Sequence, residues 1–214
     1  MFHALHAAYG PQGWWPGETP IEIVAGAYLT QNTSWAAVER SLANLRAHGV
    51  LTIAGFRAIP EDELRSLIRP SGFMTRKAAA IKAFIAYLDR KHGGSIEALA
   101  AAPTKDARHD LLDLLGVGEE TADAILLYAL NHPVMVADEY LRRIASRHGM
   151  APESAKYSQV QQLAQAAFSQ ERPGSYVPLA KEFHALVVQV GKHHCHRQPD
   201  CHGCPLEDFL HGRR

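Results

Sequence analysis

Start and stop signals for short helices recur along almost the whole chain, whereas period-two alternation and Val/Ile/Thr runs bounded by hairpin turns do not. Punctuation of this kind points to an all-α fold before any other. Thr19-Pro20-Ile21-Glu22 combines a capping box with proline at the first helical position. It predicts a helix through Ile23, Val24, Ala27 and Tyr28 that stops near Gln31. Asn32-Thr33-Ser34 then competes with helical bonding and can cap a second helix carrying Trp35, Val38, Leu42 and Leu45. Gln31 therefore falls at a helix-to-helix junction. Further starts lie at Pro60-Glu61-Asp62, at Thr75 with a stop at Gly93-Gly94, at Ser95, and over Lys105 to Leu115. After Pro133 and the short apolar run Val134-Met135-Val136, helical patterning resumes at Asp138 and returns over 158–169 and 177–191.

With 214 residues, 47% of them hydrophobic and 21% charged, the chain can bury one substantial core or two small ones and reads as soluble and globular. No apolar run approaches the roughly 18 to 20 residues of a membrane span. Met1-Phe2-His3-Ala4 lacks the basic and apolar regions of a signal peptide, so the expectation is a cytoplasmic monomer without a membrane partner. Formal net charge is zero. Any grip on nucleic acid must then come from local basic groups and backbone amides.

Leu112 to Leu130 reads helix, Leu115-Gly116-Val117-Gly118, helix. The two glycines permit a tight turn that can present its amides, and the positive end of the next helix, to a phosphate oxygen. A plain turn between core helices is the alternative for such a short motif. Asp138, just before Tyr140-Leu141, is a natural helix N-cap and also a carboxylate available for chemistry. Taken together, Leu115 to Leu126 and Val134-Met135-Val136-Ala137-Asp138 resemble the hairpin and catalytic aspartate of the endonuclease III superfamily of helix-hairpin-helix DNA glycosylases.

That resemblance implies two helical lobes with an active-site cleft between them. One is a six-helix barrel over 19–132 that holds the hairpin; the other combines 1–18 with 133–214. The implied partner is double-stranded DNA with a damaged base, and the implied DNA contacts are Gln31, Gly116, Val117, Gly118 and Lys77. Asp138 would stabilise the oxocarbenium-like state of glycosidic cleavage and position or deprotonate the attacking water. Members that also cut the strand carry a nucleophilic lysine two residues after the second hairpin glycine; Glu120 stands there and cannot form an imine. The reading is a monofunctional glycosylase without AP lyase activity.

Trp14-Trp15-Pro16, Leu29 to Trp35 and Arg69-Pro70-Ser71-Gly72-Phe73, with Lys77 following, resemble the 3-methyladenine DNA glycosylase III branch. By that resemblance Trp14 or Trp15, with Pro16 and Trp35, forms the base pocket, and Gln31 fills the gap left in the duplex. An alkylated purine is cationic, so indole faces favour it over the neutral base by about 0.5 to 2 kcal/mol each. It is also a good leaving group, which suits a site with one aspartate and no second acid. In isolation, tandem tryptophans are more often packing residues. Oxidised or mismatched pyrimidines are the alternative substrates, and a non-catalytic DNA-binding module or an iron-sulfur scaffold the alternative classes.

The three cysteines, Cys195, Cys201 and Cys204, crowd into ten residues. Without an export signal, clustering favours metal ligation over disulfides. With Pro205-Leu206-Glu207 they resemble the loop that holds a [4Fe-4S] cluster in many relatives, but the fourth cysteine is absent and His211 is the natural substitute; His193, His194, His196 and His202 lie nearby. A Cys3His zinc site or no metal at all are the alternatives.

Overall fold

A computed structural model describes residues 1–14, 17–170 and 172–210, and its regular elements are all helical. The chain divides into two compact units, Pro16–His132 and Met1–Trp15 with Pro133–Arg214. The expected division placed the first boundary three residues later, at 18/19.

The Pro16–His132 unit contains α2 (Pro20–Leu29), α3 (Trp35–Ala47), α4 (Ile53–Ala58), α5 (Glu61–Leu67), α6 (Met74–His92), α7 (Ile96–Ala100), α8 (Thr104–Leu112) and α9 (Glu119–Ala124). Its start signals act as the sequence implies. Thr19 Oγ1 accepts from the Glu22 amide, Ser95 Oγ from that of Ala98, and Gly93 ends α6 in the left-handed conformation. The Glu22 carboxylate returns to the Glu18 amide, and it also pairs with Arg46 of α3, which ties the first two helices of the unit. Tyr28, Leu45, Phe56, Phe84, Leu88, Leu111 and Ile125 are fully buried. Burial of each such side chain stabilises the fold by about 1.5–3 kcal/mol.

α4 was not foreseen. Its cap is Thr52, whose hydroxyl accepts from Gly55, but a helix of six residues with a central glycine has too little periodicity to show. Gly55 is required by packing, since a Cβ there would lie 2.7 Å from the Val50 carbonyl oxygen.

After α9 the chain widens into a π-helical turn, Ile125–Ala129, that packs on α2. The hairpin is fixed by a buried ion pair: Arg108 of α8 donates from Nε and Nη2 to the two oxygens of Asp123 at 2.7 and 2.9 Å, and Asp123 is fully enclosed. Arg108 also lies 3.7 Å from Glu119.

The second unit contains α1 (Phe2–Tyr9), α10 (Glu139–Arg147), α11 (Tyr157–Ala167) and α12 (Pro173–His193). α12 packs against both α1 and α10, and Leu5, Leu141, Ile144, Val160, Leu186, Val190 and Leu206 supply its core. α12 begins four residues earlier than its apolar pattern suggests and tolerates Pro178 near its start. Among the described residues no helix is long and apolar enough to cross a membrane.

Arg108→Met removes both hydrogen bonds from a carboxylate that is fully enclosed, whereas Asp123→Ala leaves a guanidinium that is 27% exposed and still near Glu119. We expect Arg108→Met to cost about 3–5 kcal/mol and Asp123→Ala clearly less, read as lower urea midpoints with an unchanged slope.

Candidate active site

In the Pro16–His132 unit the candidate DNA-facing residues gather round the hairpin. Gly116 has φ +76°, in the left-handed region, and a Cβ there would stand 3.3 Å from that of Ala80. Glycine is thus demanded both by conformation and by space. Gly118, the residue before α9, has open space where a side chain would be. Val117 links them, its amide donating to Leu114 O at 3.2 Å. Gln31 reaches the hairpin from the α2–α3 junction: its Nε2 donates to Gly116 O at 2.9 Å and to Thr121 Oγ1 at 3.0 Å.

A cavity of about 250 Å³ adjoins this point, lined by Gln31, Asn32, Phe73, Arg76, Leu115 and Gly116 among others. Phe73 and Leu115 are each 59% exposed, and Phe73 and Asn32 hold φ values of +46° and +52°. An exposed aromatic in a left-handed conformation is costly and is a mark of a working surface. Phe73 and Leu115 fall within the motifs that carry the family resemblance, but the sequence gives neither of them a role.

Lys77 is placed differently from expectation. It is 3% exposed, and its ammonium donates to Leu29 O, at the end of α2, and to Ser71 O, both at 2.8 Å. Its charge therefore serves the interior by satisfying helix-end carbonyls. The expected contact of Lys77 with DNA is corrected accordingly. Trp35, the first residue of α3, is half-buried and its Nε1 donates to Glu39 at 3.0 Å.

The other unit holds Asp138. It caps α10, with Oδ1 accepting from the Leu141 amide at 2.8 Å, and is 7% exposed. Its Oδ2 lies 3.5 Å from Nε2 of His184, a buried residue of α12 that sequence reasoning missed. A lone histidine on an apolar helix face carries no pattern that marks it. The Trp14 ring is 5.7 Å from that of His184. Aspartate, imidazole and indole thus form one continuous group. Trp15 and Pro16 lie outside the described residues.

Cys195, Cys201 and Cys204 line one small cavity with Arg147, His194, Asp200 and Glu207. Cys195 Sγ accepts from Arg147 at 3.0 Å, and Arg143 donates to Cys195 O at 3.1 Å, so α10 holds the start of the loop. Burial pushes the Cys204 thiol up, and Cys201 and Cys195 add to the effect against an opposing Leu206 amide. Among the described residues no three His, Cys, Asp or Glu side chains stand in a metal-ligating arrangement, and His211 lies outside them.

Two outcomes follow. Gly116→Ala should cost about 1–2 kcal/mol by forcing an alanine into the left-handed region, and should weaken binding of duplex DNA in a gel-shift titration. Burial lowers the Lys77 ammonium to about 8, from an ordinary 10.5. Between those values the unfolded chain binds the extra proton, so the wild type should gain stability relative to Lys77→Met as pH rises from 8 toward 10.5, measured by denaturant titration.

Residues 25–170 match the HhH-GPD superfamily of base excision DNA repair proteins. A Methanocaldococcus jannaschii protein described as a candidate DNA repair glycosylase is 41% identical over 212 residues, covering 98% of this chain and 93% of its own length. Among solved structures, 3-methyladenine DNA glycosylase of H. pylori bound to 1,N6-ethenoadenine superposes with a TM-score of 0.78 at 29% identity, covering 89% of this chain and 96% of that one. An endonuclease III–DNA complex shares the fold at a TM-score of 0.79 and 22% identity, covering 98% and 92%. With a glycine hairpin in one unit and a capped, buried aspartate in the other, the chain belongs to the HhH-GPD superfamily and is a DNA glycosylase of base excision repair.

Proposed function

We propose that this glycosylase is monofunctional and hydrolyses the N-glycosidic bond of alkylated purines, 3-methyladenine among them, in duplex DNA. The observation that carries the reading is the Trp14–His184–Asp138 group, which sets an indole one side chain away from a carboxylate held at a helix end. The H. pylori structure, whose ligand is an alkylated-purine analogue, agrees with it.

An N3- or N7-alkylated adenine or guanine carries positive charge, and the Trp14 face would bind that charge through its ring quadrupole. As the C1′–N bond breaks, its electron pair neutralises the base and the charge passes to the sugar. Asp138, fixed by Leu141, would stabilise the sugar cation and accept a proton from the water that adds to C1′. No strong acid is needed for a leaving group that departs neutral. Glu120, at the position of the lyase nucleophile, has no amine to attack C1′. Backbone amides of the 115–118 turn would hold phosphate, and the exposed Phe73 and Leu115 offer apolar surface to the bases of an opened duplex.

The cysteine loop has a structural role in this reading. Cys195, Cys201 and Cys204, with His211, would hold a [4Fe-4S] cluster or a zinc ion only if the loop drew them together, since the described side chains form no metal-ligating group; a bound group would brace the loop and contribute no step to hydrolysis, and a loop without metal is the alternative.

Release of free base from methylated duplex DNA tests the proposal. The wild type should release 3-methyladenine, with strand breaks only after alkali and no borohydride-trapped adduct. Asp138→Asn, which keeps a capping oxygen, should lower single-turnover release by about 10²-fold or more. No release from methylated DNA overturns the substrate assignment, and breaks without alkali overturn the monofunctional one.

A further inference from the structure

We propose that His184 is a positioning residue for Asp138, and that α12 sets the geometry of the charge-stabilising group; this rests on the reading of Asp138 as the catalytic carboxylate. Among the described residues, each oxygen of Asp138 meets one polar group: Oδ1 takes the Leu141 amide at 2.8 Å, and Oδ2 faces Nε2 of His184 at 3.5 Å. An N-cap bond alone leaves a carboxylate free to turn about its own axis, because a single accepting oxygen fixes one point. The imidazole supplies the second point. Both side chains are less than a tenth exposed, so solvent does not screen the contact as it would at a surface.

The packing of α12 on α10 makes this contact a designed approach. Gly191 lies seven residues after His184, on the same helical face. A Cβ at Gly191 would stand 2.1 Å from Cδ1 of Tyr140, so only glycine lets α12 come this close to the first turn of α10. Tyr140 is two residues from Asp138, and its ring is covered on one side by Arg143 at 4.8 Å. The same helix also holds the segment before Trp14. Glu182 accepts from the amides of Gln12 at 2.7 Å and Gly13 at 3.3 Å, and the His184 ring lies against Trp14. Within one turn, α12 therefore orients both the carboxylate and the indole.

A duplex with a pyrrolidine in place of the damaged nucleotide carries a positive charge where the sugar cation develops; a tetrahydrofuran duplex is its neutral counterpart. The ratio of their dissociation constants reads how well Asp138 is aimed, whatever base the enzyme removes. The wild type should favour pyrrolidine, and Asp138→Asn should abolish the preference. His184→Ala should reduce it by roughly tenfold, as expected for loss of a contact to a charged group, with tetrahydrofuran binding nearly unchanged. His184→Asn, which retains an N–H donor, should recover most of it and covers the case in which the alanine variant folds poorly. If Asp138→Asn abolishes the preference while both His184 variants keep it, the positioning role is overturned and the Asp138 reading stands. Equal weakening of both duplexes by His184→Ala, without recovery in His184→Asn, shows a merely structural histidine and also overturns it. If the wild type has no preference, or Asp138→Asn retains it, the catalytic reading fails and takes this proposal with it.

Discussion

A carboxylate with no access to solvent, Asp123, is held in this fold by the Arg108 guanidinium, which meets it with two hydrogen bonds. Buried pairs of this kind contribute little net stability, yet they impose one arrangement, because each partner is costly without the other. Here the arrangement is the angle between α8 and α9, and hence the turn between them. Gly116 then has its left-handed backbone fixed from within, and Gln31 closes the other side through Gly116 O and Thr121. A protein of zero net charge cannot rely on a general attraction to DNA, and under the proposed function a few rigidly held backbone amides take its place.

The unit that holds Asp138 is built on the same economy of parts. Asp138 both ends a loop and begins a helix, and the arginines of that helix, Arg143 and Arg147, fasten the first cysteine of the C-terminal loop. One short helix thus carries the carboxylate at its start and the contacts to Cys195 O and Cys195 Sγ farther along.

Much of this was legible in the sequence where local rules decide the outcome. Thr19, Ser95, Gly93 and Asp138 act as the caps and stops that their residue types announce, because the relevant bonds span three or four residues. The hairpin was visible because φ > 0 demands glycine at Gly116. What remained hidden depends on distant partners. Lys77 reads as a surface cation, but the ends of α2 and the 69–71 turn bury it, and no local pattern records a carbonyl contributed from 48 residues away. His184 is silent for the same reason: its partner Asp138 is 46 positions distant, and its neighbours are those of any apolar helix. Gly191 looks like a helix-weakening residue until Tyr140 is seen to fill its space.

The dual office of Asp138 bears on how such proteins change over evolutionary time. Asparagine and serine cap helices about as well as aspartate, and threonine nearly so. A single substitution at this position can therefore remove the charge while the cap of α10 persists. Under the proposed function, catalysis is a layer separable from the fold, carried by one side chain whose capping role does not need its charge. A lineage that lost that charge would keep the helix cap and the glycine turn, so loss of activity and loss of fold need not go together.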